Sequence, residues 1–272
     1  MDNSRSKPGN LVQTIERVSF ILDILSSSPH GISVGELSAK TGFPKGTAHR
    51  LLTSLAYFDL VRQDPTTKKY HLGFKLVELG NRLLSQLDFR TEARPYLKEL
   101  AELTKETVHM VILDRNEGLY VDKVDAVEHA SGLRMVSALG SRIPVHCSAV
   151  GKILLASLSE ESLLSIVKDR GLPRRTENTI TDLEELKKHL KIIREQGFAF
   201  DDEENEKGIQ CVGAPIIDQR GKVLAAISIS VPTIRVDKTT LQTTLKDHLT
   251  ETAAQISRKI GYQGSQVYLT NL

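Results

Sequence analysis

Apolar residues in VQTIERVSFILDILS, residues 12–26, recur at Val12, Ile15, Val18, Ile21, Leu22 and Leu25, a three-and-four spacing that lines one face of a helix. SSPHGIS breaks that helix at Pro29 and Gly31. Ser33 suits the cap of a short helix over VGELSAKT, with Glu36 placed to complete a capping box and Leu37 pointing inward. Gly42 ends this helix, Pro44 suits the first position of the next, and Ala48, Leu51, Leu52 and Leu55 form a buried stripe up to about Phe58. Two short helices joined by a glycine turn make a helix-turn-helix. LVRQDPTTKKYHLG, residues 60–73, then alternates with period two on either side of DPTTK, which predicts a hairpin wing with Lys68 and Lys69 at its tip.

Beyond the wing, FKLVELGNRLLSQLD carries Leu76, Leu79, Leu83, Leu84 and Leu87 on one side and reads as a connecting helix. Its stripe identifies a buried face without saying whether a second subunit or its own domain covers it. RPYLKELAELTKET reads as a further helix. The pattern then shifts to short apolar or alternating runs, VHMVILD, GLYVDKV, GLRMVS, AFDDEE, GIQCVGAPIID and VLAAISISV, which predict strands. Helices are expected at 148–157, 160–168 and 182–196, and a long one at 237–260. The expected fold class is α+β: a winged helix-turn-helix over 1–73, a linker helix over 74–90, and a domain over 91–272 with a mostly antiparallel sheet.

Length and composition fit that division. The 272 residues exceed the usual size of one domain, and 40% hydrophobic content is enough for real cores. With no run of 18 apolar residues and no apolar leader core, the chain is expected to be cytoplasmic, without a membrane partner. The small net charge hides an asymmetry. Residues 1–90 carry twelve Lys and Arg against eight Asp and Glu, and the remainder carries 24 against 26, so the basic surplus lies where a phosphate backbone would use it.

The side chains off the stripe of the second short helix, Lys45, Gly46, Thr47, His49, Arg50 and Thr53, lie on or flank the face that would enter a major groove. Arginine reads guanine edges bidentately, whereas lysine, threonine and a helix N-terminus suit phosphates, as do the wing lysines Lys68 and Lys69. In the second domain, Ser148 caps a helix that begins with small residues, whose free N–H groups suit a carboxylate. Ser228 and Ser230 alternate in an apolar strand and so share a face, where their hydroxyls need partners in protein, water or a hydroxylated acid.

Other chemistries find little support. The two cysteines, Cys147 and Cys211, have no CxxC partner, and the chain has no GxGxxG, P-loop or HExxH. A cysteine enzyme would pair Cys147 or Cys211 with His146 or His109, but neighbours such as His146 and Cys147 point to opposite sides of an extended chain. A metal site from His146, Cys211 and Asp201 would lack diagnostic spacing. No catalytic residue, cofactor or metal is expected.

The leading helix, the segment ISVGELSAKTGFPKGTAHRLLTSL and the wing closing on YHLG resemble the winged helix of the IclR family of bacterial transcription regulators. Gly46 stands where relatives often have serine, and AYFDLV replaces a glycine-containing turn. The resemblance continues through SRIPVHCSAVGKILLASL, GFAFDDEENEKGIQCVGAPIID and LAAISISVP, with Gly197, Asp201, Glu204, Cys211 and Asp218 at matching positions and Ile217 departing from the usual aromatic or histidine. LTKETVHMVILD, GLRMVSALGSRIP, TENTIT and SISVPTIR are most similar to the KdgR-type branch, which senses a 2-keto-3-deoxy sugar acid.

The resemblance implies a GAF-like effector-binding domain and a regulator, a repressor or else an activator, that responds to 2-keto-3-deoxygluconate or another small keto or aromatic acid. It implies a homodimer, or a dimer of two such dimers, on a near-palindromic double-stranded operator. The backbone at Ala149 and Val150 would take the effector carboxylate; Asp201, Ser228 and Ser230 would bind its oxygens beside Cys211, with Leu133 and Met135 as an apolar wall.

Overall fold

A computed structural model describes residues 10–125 and 137–264. Helix α1 (Gln13–Ser26) buries Ile21 and Leu25, while Val12 and Ile15 at its start remain exposed. Helix α2 (Val34–Thr41) carries the full capping box: Glu36 N donates to Ser33 Oγ at 3.2 Å and Ser33 N to Glu36 Oε2 at 2.8 Å. Gly42 closes it at φ 70°, a left-handed conformation that glycine adopts without steric cost. Helix α3 (Lys45–Tyr57) starts one residue later than the proline rule places it, because Pro44 keeps an extended ψ of 140° and serves as the N-cap. Strands β1 (Val61–Gln63) and β2 (Tyr70–Leu72) pair antiparallel, and Ile32 bridges to Tyr70. One core holds these elements together: Ile21, Leu25, Leu37, Ala48, Leu52, Leu55, Val61 and Tyr70 are buried, with Leu51 packed against them.

The chain divides into two units, Met1–Gln86 and Leu87–Leu272. The boundary falls inside the segment 74–90 assigned above to one linker helix. That segment forms helix α4 (Lys75–Ser85), a break at Gln86 and Leu87, and the start of helix α5 (Asp88–Thr104). Helix α5 also begins earlier than its proline suggests and carries Pro95 inside it. It is anchored by charge, since Arg90 and Arg94 both pair with Asp122, a fully buried carboxylate.

In the second unit, strands β3 (Thr107–Asp114), β4 (Glu117–Val124), β5 (Arg142–Ile143), β6 (Ala199–Asp202), β7 (Ile209–Ile217) and β8 (Val223–Pro232) form a sheet of order β5-β4-β3-β8-β7-β6, antiparallel at every pairing. Strand β5 was not anticipated, being only two residues long. The segment GLRMVS lies outside the described residues except for Ser137. Helix α6 (Ala149–Ala156) lies on one face of the sheet, with α7 (Glu160–Arg170) and α8 (Leu183–Gln196) in the same core; α5 and α10 (Lys246–Lys259) pack on the other face. A helical turn α9 (Lys238–Thr240) and a π-helical stretch, Leu241–Leu245, lead into α10. Among the described residues no helix is long and apolar enough to cross a membrane.

Candidate functional site

Two surfaces carry the candidate chemistry, one in each unit. On α3, Lys45, Gly46, His49, Arg50 and Thr53 are exposed and Thr47 is half-buried, opposite the buried Ala48, Leu52 and Leu55. No side chain caps the N-terminus of α3 and no acid stands in its first turn, so its free N–H groups and positive dipole end face outward beside Lys45. The Thr53 hydroxyl donates to His49 O at 2.9 Å. In the hairpin, Asp64 Oδ1 accepts from Thr66 N at 2.9 Å and Thr67 N at 2.7 Å, which orders the loop. Lys68 sits there exposed at φ 58°, while Lys69 is half-buried at the base of β2.

The second surface is a cavity of about 320 Å³ between the sheet and the N-terminus of α6. Strand register builds its floor. Asp201 on β6 pairs with Cys211 on β7, which pairs with Ser230 on β8; two residues along, Gly213 pairs with Ser228, which pairs with His109 on β3. Directly paired residues project to the same side of a sheet, so these side chains share the face that α6 covers. Ala149, Val150, Asp201, Cys211, Ser228 and Ser230 all line the cavity, whereas Leu133 and Met135 lie outside the described residues. Ser148 Oγ accepts from Gly151 N at 3.2 Å and donates to Pro144 O at 2.6 Å, fixing the start of α6.

Gly213 is what lets the helix come this close. A Cβ there would stand 2.9 Å from the Ala149 carbonyl carbon, inside any normal contact. Gly213→Ala is therefore expected to push α6 off the sheet and to lower stability by about 1–3 kcal/mol, read as a fall in midpoint in thermal unfolding.

The electrostatics are unusual for a sheet floor. Lys152, on an otherwise apolar α6, is 2% exposed and pairs with the buried Glu204. Asp201 Oδ1 accepts from Glu204 N at 2.8 Å and Asn205 N at 3.3 Å. Burial pushes the Asp201 carboxyl up to about 7, against the pull of Lys152. The site thus holds a carboxyl that changes charge near neutrality. Burial pushes the Cys147 thiol up to about 12 and raises Cys211 as well, so both stay protonated and neither is an activated nucleophile.

The stretch His146–Ser148 is a bend rather than the extended strand assumed above, yet the two neighbours still diverge. His146 Nε2 lies 3.1 Å from Pro173 O, and Cys147 Sγ lies 3.9 Å from Asn205 Oδ1. His146 lines a separate, more apolar cavity, away from Cys211 and Asp201. Among the described residues, no three His, Cys, Asp or Glu side chains form a metal-binding group. The sequence reading missed the cavity residues Tyr120, Ser137, Arg142 and Arg175. It also passed over Lys152, although a lone lysine within AVGKILLA is a legible sign of a buried countercharge.

Comparison with known proteins identifies the domain in each unit. Residues 14–65 match the model of the IclR helix-turn-helix domain, and residues 81–258 match that of the bacterial transcriptional regulator IclR C-terminal domain. The chain is 36% identical to the HTH-type transcriptional regulator KdgR of Escherichia coli (strain K12), over 94% of this chain and 95% of that one. It is 35% identical to the HTH-type transcriptional repressor AllR of the same strain, over 94% and 96%. Its structure is similar to the crystal structure of the Thermotoga maritima IclR, with a TM-score of 0.77 at 36% identity, covering 92% of this chain and 99% of that one.

Proposed function

This chain belongs to the IclR family of bacterial transcriptional regulators, and on that premise we propose that it is a repressor released from its operator by a small hydroxylated keto acid. The acid's carboxylate meets the Ala149 and Val150 N–H groups at the start of α6, and its hydroxyl and keto oxygens meet Asp201, Ser228 and Ser230. The observation that carries this reading is the cavity itself, where a helix N-terminus faces a row of polar side chains on a buried sheet. Ser228 is 2% exposed and lines the cavity, where a ligand oxygen is a partner for its hydroxyl. By resemblance to the KdgR-type branch, 2-keto-3-deoxygluconate is the first candidate. A relative whose name carries the word repressor supports the direction of control.

In the DNA-bound form, α3 of each subunit occupies a major groove of a near-palindromic operator, with half-sites about one helical turn or a multiple apart. Helix α4 supports the dimer. It has no buried residue and exposes Leu79 and Leu83, one turn apart on one side, an apolar strip that fits the same face of a second copy or of a second dimer. The acid drives release only to the extent that it binds the DNA-free arrangement more tightly than the bound one.

Thermal unfolding against a panel of 2-keto acids, hydroxylated and plain, tests the ligand class. An acid at a hundred times its dissociation constant adds about 2.7 kcal/mol, a shift of several degrees. A shift that Ser230→Ala abolishes supports the pocket, and no shift with any acid contradicts it.

Asp201 adds a pH signature. Its folded-state carboxyl titrates near 7 against an ordinary value of 3.8, so between these limits the unfolded state gives up its proton first. Its contribution to stability therefore falls as pH rises from about 4 to 7. The charged form also repels an anionic acid, so affinity is expected to be several-fold higher at pH 6 than at pH 8. Calorimetric titration at both values reads it, and Asp201→Asn is expected to flatten the difference.

A further inference from the structure

Beside the two serines, on the same face of the sheet, stands a buried histidine. His109 on β3 is 1% exposed and does not line the cavity, but it bridges two hydroxyls that do. Its Nε2 lies 2.7 Å from Ser137 Oγ and its Nδ1 lies 3.3 Å from Ser230 Oγ. Ser230 Oγ in turn accepts from Cys211 Sγ at 3.1 Å. Tyr120, another lining residue, packs its ring 5.0 Å from the imidazole.

Burial, reinforced by the nearby Lys123 and only partly offset by Asp125, holds the His109 imidazole down to about 3, so it is neutral throughout the physiological range. A neutral imidazole has one N–H and one lone pair. It cannot treat two serines alike: it donates to one and accepts from the other. The Cys211 thiol, kept protonated by burial, donates to Ser230 and biases the direction of the next bond. Bonds that all run the same way along a chain polarise one another and are favoured. The run is Cys211 S–H to Ser230 Oγ, Ser230 O–H to His109 Nδ1, and His109 Nε2–H to Ser137 Oγ, leaving the Ser137 O–H to point into the cavity.

We propose that His109 sets the hydrogen-bonding polarity of the cavity wall, making Ser137 a donor and Ser230 an acceptor toward the ligand. The cavity then selects an acid that presents a bare oxygen to Ser137 and a hydroxyl to Ser230. His109 is a positioning residue, and this role deepens the small-acid reading and rests on it.

The first test needs no ligand. Two-bond proton–nitrogen spectra of full-length protein carrying ¹⁵N-histidine, with His109 assigned by its loss in His109→Gln, report tautomer and protonation directly. The expected result is a neutral Nε2–H tautomer unchanged from pH 8 to pH 5. An Nδ1–H tautomer, or a titration inside that range, overturns the proposal while leaving the cavity reading intact. The second test compares binding of 2-keto-3-deoxygluconate with that of 2-oxohexanoate, which has the same chain length without hydroxyls. The wild type is expected to prefer the hydroxylated acid by at least about tenfold, because a site built around a hydroxyl rejects the analogue lacking it.

His109→Leu is expected to erase that preference with little change for 2-oxohexanoate. His109→Gln, whose carboxamide also carries a donor and an acceptor, is expected to keep most of it. A preference that survives in His109→Leu overturns the role of His109 and spares the effector reading. If neither acid binds the wild type, the selection proposed here fails together with that reading.

Discussion

Lys152→Ala is expected to destabilise the C-terminal unit by about 3–5 kcal/mol, because it strips the countercharge from a buried carboxylate without returning that carboxylate to water. Lys152 and Glu204 are both nearly excluded from solvent, and among the described residues Glu204 Oε2 has no hydrogen-bond partner. The lysine also lowers the cost of charging Asp201 beside it. Its loss thus leaves two neighbouring buried acids without that countercharge. For a unit of this size, ~3–5 kcal/mol corresponds to a fall in unfolding midpoint of roughly 6–20 °C. The loss is expected to be smaller at pH 6 than at pH 8, since Asp201, pushed further above 7, is then protonated. Lys152→Met combined with Glu204→Gln, which removes both charges, is expected to recover most of the stability. A single-variant loss below about 1 kcal/mol would show that the pair is solvated.

Arg50→Ala is expected to weaken operator binding by about tenfold to a hundredfold, the range for losing one base-reading arginine, while leaving acid affinity unchanged. Arg50 is exposed on α3 between two residues of the buried stripe, and among the described residues it forms no ion pair that would hold it back from DNA. The wing gives the contrast. Lys68→Ala is expected to weaken all DNA sequences alike and to reduce the salt dependence by about one ion. Fluorescence anisotropy on a labelled operator at fixed salt separates the two; an Arg50→Ala protein that binds normally would move the groove contact elsewhere on the surface.

How much of this was legible in the sequence depends on how local each signal is. The Ser33–Glu36 capping box, the Gly42 turn and the stripe of α3 are written within a few residues of one another, so the helix-turn-helix could be read directly. The Gln86–Leu87 break could not, because no glycine or proline punctuates SQLDF and the apolar stripe runs across it. Pro95 misled in the other direction: it suggested a helix start where α5 is already two turns old. The cavity divides the same way. Period-two alternation put Ser228 and Ser230 on one face, but the register that adds Cys211, Asp201 and His109 to that face is a property of strand pairing and carries no mark in any single strand. Ser137 and Arg175 reach the cavity from outside the regular elements, and Tyr120 from a strand read only as apolar.

The most direct test of the central claim joins the two units in one experiment. A cognate operator is selected from fragmented genomic DNA with the full-length protein, and its dissociation constant is measured by anisotropy at fixed salt with and without the acid that raises the unfolding midpoint. The account predicts specific binding to a near-palindromic site and a rise of at least about tenfold in the dissociation constant at saturating acid, a coupling of about 1.4 kcal/mol. Specific binding that saturating acid leaves unchanged, while Ser230→Ala still abolishes the acid's effect on unfolding, would contradict it.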